Sequence, residues 1–255
     1  MHAICFTHRG NKRTTNQDAL LAEGRVAAGE GMEACERASL DAERSLFVVV
    51  DGMGGYEGGE VAAKIVVDTL LDTLPPSLPS SKEDAEGEVR RALDEAVRRI
   101  GAAAREDTRL ASMGATLAGL WADDARAFVF NCGDCRVYRY RGRFLEKLSH
   151  DHSEVQELVD AGMIDEEAMR RHPRKNVVTS AVQAGGFPAL FFREYRRVAE
   201  EAFLLCCDGV WEALSVDEME ECLGAPDTMV ACEELRRRLL ATDCGDNVSF
   251  IFTTL

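Results

Sequence analysis

No stretch of this 255-residue chain is apolar for long enough to cross a bilayer, which takes roughly 20 consecutive apolar residues. The segment from Met1 to Gly10 carries His2, His8 and Arg9 and lacks the apolar core of a secretory signal. Positive charge is in deficit: 30 Lys and Arg stand against 45 Asp and Glu, a formal net charge of −15. Such a chain repels phosphate backbones, so neither nucleic acid nor membrane is expected among its partners. With 21 glycines and 6 prolines it is too poor in both to be disordered, and it has no internal repeat or low-complexity tract. The 9 cysteines are odd in number and scattered. They fit buried thiols in a reducing, cytoplasmic compartment better than a disulfide framework. A chain of this length that is 46% hydrophobic can build one substantial domain, taken as 1–255.

Apolar spacing supplies the elements. Ala63, Val66, Val67, Leu70, Leu71 and Leu74 fall on one face of a helix over Glu60 to Leu74, which Pro75 and Pro76 end. Val89, Ala92, Leu93, Ala96, Val97 and Ile100 mark a second helix over Glu83 to Arg105. Ser45 to Val50 reads as a buried strand, and Gly24 to Arg44 as a variable loop or frayed hairpin. Strand signals run from Ala115 to Leu148, with turns at Asp123-Asp124 and Arg141-Gly142, and return at Asn176 to Val182, Phe191 to Val198, Ala202 to Cys207 and Val248 to Thr253. Short helices are expected at Ser153 to Ala161 and Asp165 to Arg171, and longer ones at Val216 to Leu223 and Thr228 to Leu240. Hairpin-linked strands pair antiparallel, and helices cluster around the strand runs. Together they predict a layered α+β sandwich.

The aspartates are the informative residues. Asp51 follows Phe47-Val48-Val49-Val50, Asp208 follows Phe203-Leu204-Leu205-Cys206-Cys207, Asp134 follows a strand-like run ending in Asn131-Cys132-Gly133, and Asp246 precedes Val248. Asp18 closes Asn16-Gln17-Asp18. One Asp-Gly after a strand is an ordinary turn. Several at strand ends converge if the strands pack side by side. Two carboxylates about 4 Å apart repel by roughly 4 kcal/mol at an effective dielectric near 20, so the cluster needs protons or cations. All-oxygen ligands select Mg²⁺, Mn²⁺ or Ca²⁺. Such ions generate a hydroxide nucleophile suited to attack on a phosphoester. Arg13 is the candidate phosphate cation.

Arg13-Thr-Thr-Asn16-Gln17-Asp18, Asp51-Gly52-Met53-Gly54-Gly55, Gly114-Ala115-Thr116, Asn131-Cys132-Gly133-Asp134-Cys135-Arg136, Ser149-His150-Asp151-His152-Ser153, Cys207-Asp208-Gly209-Val210-Trp211 and Gly245-Asp246-Asn247-Val248 occur in the order of the protein phosphatase 2C family. The chain resembles that family, in its compact bacterial form, over nearly its whole length. The resemblance implies an α-β-β-α sandwich, two central antiparallel sheets flanked by helices, with a flap near 152–187. It implies hydrolysis of phosphoserine and phosphothreonine in proteins by a metal-bridging hydroxide, opposing a Ser/Thr kinase, in a cytoplasmic monomer that binds two Mn²⁺ or Mg²⁺ ions and a third. By motif position, Asp51 bridges two metals and Gly52 coordinates through its carbonyl. Asp208 and Asp246 complete the pair, and Asp134 shares a third ion with Asp208. Arg13 binds the phosphate, Asp18 orients a metal-bound water and Asn247 supports the site.

The chain departs from the family pattern at Gln17, where Glu is common, at Met53, where some eukaryotic members place a His as proposed general acid, and at Cys135, a common Ser position. Gln17 keeps an acceptor without the charge, and Met53 cannot donate a proton. Cys132 and Cys135 form C-x-x-C without a second pair and read as structural thiols. His150, His152 and His172 read as turn residues, and Trp121 and Trp211 as core. Arg170, Arg171, Arg174 and Lys175 form a basic run that reads as a solvated face, with contact to a phosphoprotein as the alternative. Two other functions are kept in view: a phosphatase dedicated to one regulatory phosphoprotein, separable by activity on unrelated phosphopeptides, and a non-catalytic module on the same fold, marked by loss of the ligand aspartates. Asp51, Asp208 and Asp246 are all present here.

Overall fold

The computed structural model describes residues 2–22, 24–29, 31–38, 46–54, 58–243 and 245–254. Its first sheet orders its strands β4 (Glu36–Ala38), β1 (His2–His8), β13 (Val248–Thr254), β12 (Ala202–Cys206), β8 (Arg136–Arg141) and β9 (Phe144–Lys147). The second runs β11 (Phe191–Arg196), β7 (Arg126–Cys132), β6 (Gly114–Ala122), β5 (Leu46–Met53), β2 (Ala19–Ala22) and β3 (Arg25–Ala28), with β10 (Val182–Gln183) paired to β6. All these pairings are antiparallel.

The two-residue period of a strand decides which layer each side chain joins. On β5, Phe47 and Val49 pack into the core between the sheets, while Leu46, Val48 and Val50 face α1 (Gly58–Thr73) and α2 (Lys82–Glu106). A strand buried on both faces reads as the unbroken apolar run seen here. Val66, Val67 and Leu70 of α1 are fully buried, each contributing about 1.5–3 kcal/mol relative to exposure. On the far side, α6 (Val216–Leu223) and α7 (Thr228–Ala241) bury Met219, Cys222, Leu235 and Leu239 in the core that holds β1, β12 and β13. The layers are therefore helix, sheet, sheet, helix, as expected. Between β9 and β10 lie α3 (Glu154–Asp160) and α4 (Glu166–Arg171), capped by Ser153 and Asp165.

Several expectations are corrected. Asn176 to Val182 is not one strand: it has a turn bond from Val177 N–H to Arg174 C=O, a single bridge at Val178 with Glu154 N–H on Val177 C=O and Thr179 N–H on His152 C=O, and the start of β10. Within Gly24 to Arg44 the hairpin alternative holds where β3 pairs with β2, and β4, which was not foreseen, pairs with β1. Residues 39–44, and Ser45 of the expected strand, lie outside the described residues. The β8–β9 turn is Gly142-Arg143, one residue later than expected. Both have positive φ, 58° and 73°, as a two-residue primed hairpin turn demands.

Candidate active site

Each motif aspartate sits where a strand or helix delivers it. Asp51 is not past its strand but inside it, opposite Thr116, because β5 continues through Gly52 to Met53. A side chain at Gly52 would meet Gly59 O at 2.0 Å and Gln17 O at 2.5 Å, so only glycine fits. Asp134 lies in the tight link between β7 and β8, where Gly133 has φ 99° and any Cβ would strike Thr116 at 2.3 Å. Asp208 does not sit in a turn. It opens a short helix, α5 (Asp208–Ala213), with Cys207 as N-cap, where the helix dipole favours negative charge. Asp246 precedes β13, and Asp18 directly precedes β2, a strand the sequence reading missed. Gly55 of the Asp51 motif lies outside the described residues.

Asp51, Asp134, Asp208 and Asp246 line one cleft of ≈ 220 Å³ together with Arg13, Gly52 and Met53. Burial, then the Asp208 carboxylate, pushes the Asp51 carboxyl well above its usual range. Asp208 is raised by burial and then by Asp134. Burial, reinforced by Asp151, lifts Asp134 to about 7. Asp18 lies beneath, wholly buried, and burial raises it to about 7 even though the Ser249 hydroxyl donates to its Oδ2 at 2.5 Å. Asp18 Oδ1 and Asp208 Oδ1 are buried without a hydrogen-bond partner. No three or more His, Cys, Asp or Glu among the described residues close into a ligand shell as they stand. The carboxylates face a shared cleft instead, a spread that like charges favour. Oxygen donors that resist ionisation and leave buried lone pairs unsatisfied fit a hard divalent cation.

Arg13 is half exposed, and its Nη2 donates to Asp246 Oδ2 at 2.7 Å. Asn247 fixes the loop that carries Arg13. Its Oδ1 accepts from Gln17 N–H at 2.8 Å, and its Nδ2 donates to the carbonyls of Arg9 and Thr15. Under Asp18, Asn16 Nδ2 donates to Thr7 Oγ1, which bonds Ser249 Oγ at 2.7 Å. Sequence reasoning missed Thr7 and Ser249. The available signal was a hydroxyl inside each of two apolar strands, since buried polar groups are kept only when bonded. It also missed Asn176 and Val178, which line the cleft from a segment expected to be strand.

The other singled-out residues have ordinary roles. Cys132 Sγ lies 3.6 Å from Ser180 Oγ and Cys135 Sγ 3.3 Å from Thr116 Oγ1, so the two thiols serve different contacts. Eight cysteines are free and buried among the described residues. His172 Nδ1 accepts from Arg174 N–H and closes a turn, His152 Nδ1 accepts from Gly133 N–H across the fold, and His150 pairs with Asp160. The basic run is tied down: Arg171 to Glu167, Arg174 to Glu154, Lys175 to Glu212, and Arg170 to the carbonyls of Trp211 and Glu212. Trp121 and Trp211 are 1% exposed, as core residues should be.

The fold is two antiparallel sheets between helices, with an acidic cleft at the strand ends. Residues 33–239 match the family model described as protein phosphatase 2C, and the chain belongs to that family. It is 30% identical over 230 residues to the serine/threonine phosphatase stp of Listeria monocytogenes, covering 90% of this chain and 85% of the relative. With PstP of Mycobacterium tuberculosis, a serine/threonine protein phosphatase, it shares 30% identity over 84% of this chain and 41% of that protein. Among solved structures, PstP/Ppp of M. tuberculosis superposes with a TM-score of 0.82 at 25% identity, covering 99% of this chain and 98% of the other. PppA of Pseudomonas aeruginosa superposes at 0.76 and 31%, covering 100% and 98%. The enzyme class that follows is protein-serine/threonine phosphatase.

Proposed function

We propose that the acidic cleft removes phosphate from phosphoserine and phosphothreonine using Mn²⁺ or Mg²⁺ held by Asp51, Asp208 and Asp246. One observation carries this reading: four carboxylates from four separate segments face one cleft beside a single accessible guanidinium. Asp51 would serve two ions, with the Gly52 carbonyl beside it, and Asp134 would share a third with Asp208. Bound there, a divalent cation supplies Lewis-acid charge for the phosphoryl oxygens and lowers the pKa of water. The catalytic domain of PstP, 24% identical and alike in fold, has been solved in complex with 2 manganese ions.

The chain's own groups do the rest. Arg13, free to swing from Asp246, binds two phosphate oxygens. Asp18, buried beneath the cleft and fixed through Oδ2 by Ser249, would orient the attacking water from below, with Oδ1 left unpartnered for that role. The phosphorus bond to the Ser or Thr oxygen breaks as the bond to water oxygen forms, and the leaving oxygen gains a proton. Asn247 holds the Arg13 loop against β13. In this reading 1–255 is one catalytic domain and 152–187 a flap beside the cleft. The substrates are phosphoproteins made by a Ser/Thr kinase, and one chain carries every residue required, so a monomer suffices. The buried free thiols support a reducing cytoplasm. No helix among the described residues is long and apolar enough to cross a membrane.

EDTA is expected to abolish phosphate release from a phosphothreonine peptide, and Mn²⁺ to restore it. Full activity in the metal-stripped protein would overturn the proposal. Arg13→Ala is expected to raise KM by roughly 10- to 100-fold, the scale of a lost charge-assisted bidentate contact, with Mn²⁺ binding retained. Steady-state kinetics checks this, and an unchanged KM would move the phosphate site away from Arg13.

A further inference from the structure

Behind the cleft lies a buried ionic system that the proposed reaction does not use. Arg136, at the start of β8, is 6% exposed in its side chain and Asp151 is 0%. Arg136 donates from Nε and Nη2 to Asp151 Oδ2 at 2.9 and 2.6 Å, and from Nη1 to Tyr138 Oη at 3.1 Å. Its guanidinium carbon lies 3.7 Å from the centre of the Trp211 ring. Trp211 stands in α5, three residues after Asp208, and its Nε1–H donates to the backbone carbonyl of Asp134 at 3.0 Å. One indole therefore joins the two segments that carry Asp134 and Asp208. The guanidinium stacked on it is itself locked by these bonds and by a fourth, from Nη2 to Met169 Sδ at 3.4 Å.

We infer that Trp211, clamped by Arg136, is a positioning residue that sets Asp134 against Asp208. The inference rests on the role proposed above for Asp134. A ring needed only to fill space could lose its N–H without consequence for the reaction. A ring that aims Asp134 could not, because the 133–135 link is a sharp turn whose carbonyl would lose its tether.

Trp211→Phe tests this, since it keeps a ring beneath Arg136 and deletes the donor. The thermal midpoint is expected to fall by a few degrees, from the lost ring volume and hydrogen bond, with the chain still folded under assay conditions. On a phosphothreonine peptide kcat is expected to fall roughly tenfold, the scale of one lost hydrogen bond, with KM within about twofold. The loss on p-nitrophenyl phosphate is expected to be smaller. Calorimetric titration with Mn²⁺ is expected to show the weakest site weakened and the tighter sites unchanged. Combined with Asp134→Ala, Trp211→Phe is expected to add no further loss, because both act on one group. Wild-type kinetics and metal binding in Trp211→Phe would overturn the inference. So would equal losses on both substrates that add to those of Asp134→Ala. A neutral Asp134→Ala would remove the proposed role of Asp134 itself, and this inference with it.

Discussion

Asp208→Asn is expected to weaken metal binding and turnover together. Asparagine keeps the shape and one acceptor oxygen but removes a charge from a site proposed to hold at least two dications. Asp208 is raised by burial and by Asp134, and its Oδ1 is buried without a hydrogen-bond partner. Residues that only support a ligand cost roughly 10- to 100-fold when mutated. A ligand shared between ions should cost more, so a fall in kcat of at least about 100-fold is expected, with the Mn²⁺ activation midpoint shifted upward. Because burial and Asp134 disfavour ionised Asp208 without metal, the variant's metal-free thermal stability should not fall. A drop in both activity and metal-free stability would mark a folding role instead.

For Asp134→Ala, the expected result depends on the leaving group. A phosphothreonine peptide releases an alkoxide that must gain a proton, and an aryl phosphate does not. Met53 has no proton to give, and His150 and His152 are engaged elsewhere. In the proposed reading Asp134 would hold a third ion, and that ion's site would supply this proton. kcat on the peptide should fall by roughly 10²–10⁴-fold, the usual worth of general acid catalysis, and by much less on p-nitrophenyl phosphate. The tighter Mn²⁺ sites should remain filled. Equal losses on the two substrates would reduce Asp134 to a positioning or folding role, and no loss would make it dispensable.

The layers were legible because α1 and α2 carry single apolar stripes and β5 an unbroken apolar run, patterns set by local periodicity. Four of the five motif aspartates were read at strand ends for the same reason, although Asp51 lies inside β5 and Asp208 opens α5. Local pattern did not reveal what long-range packing decides. Nothing near Asp208 in sequence announces α5, since six residues are too few to show a period. The Asn176 to Val182 segment has strand-like residues but meets a neighbouring edge only around Val178 and at Val182, so no continuous strand forms. The basic run looked like a free cationic face until Glu154, Glu167 and Glu212 were found beside it. Arg13 bonded to Asp246, and Asp18 to Ser249 more than two hundred residues away, are contacts no spacing could show.

The central claim is that the cleft carboxylates hold the divalent ions on which phosphate release depends. Calorimetric titration of the EDTA-stripped chain with Mn²⁺, run beside Asp208→Asn, tests it most directly. The account predicts saturable binding of two or more ions per chain, with the pair shared by Asp51 and Asp208 lost or severely weakened in Asp208→Asn. No saturable binding in the native chain, or the same isotherm in Asp208→Asn, would contradict it.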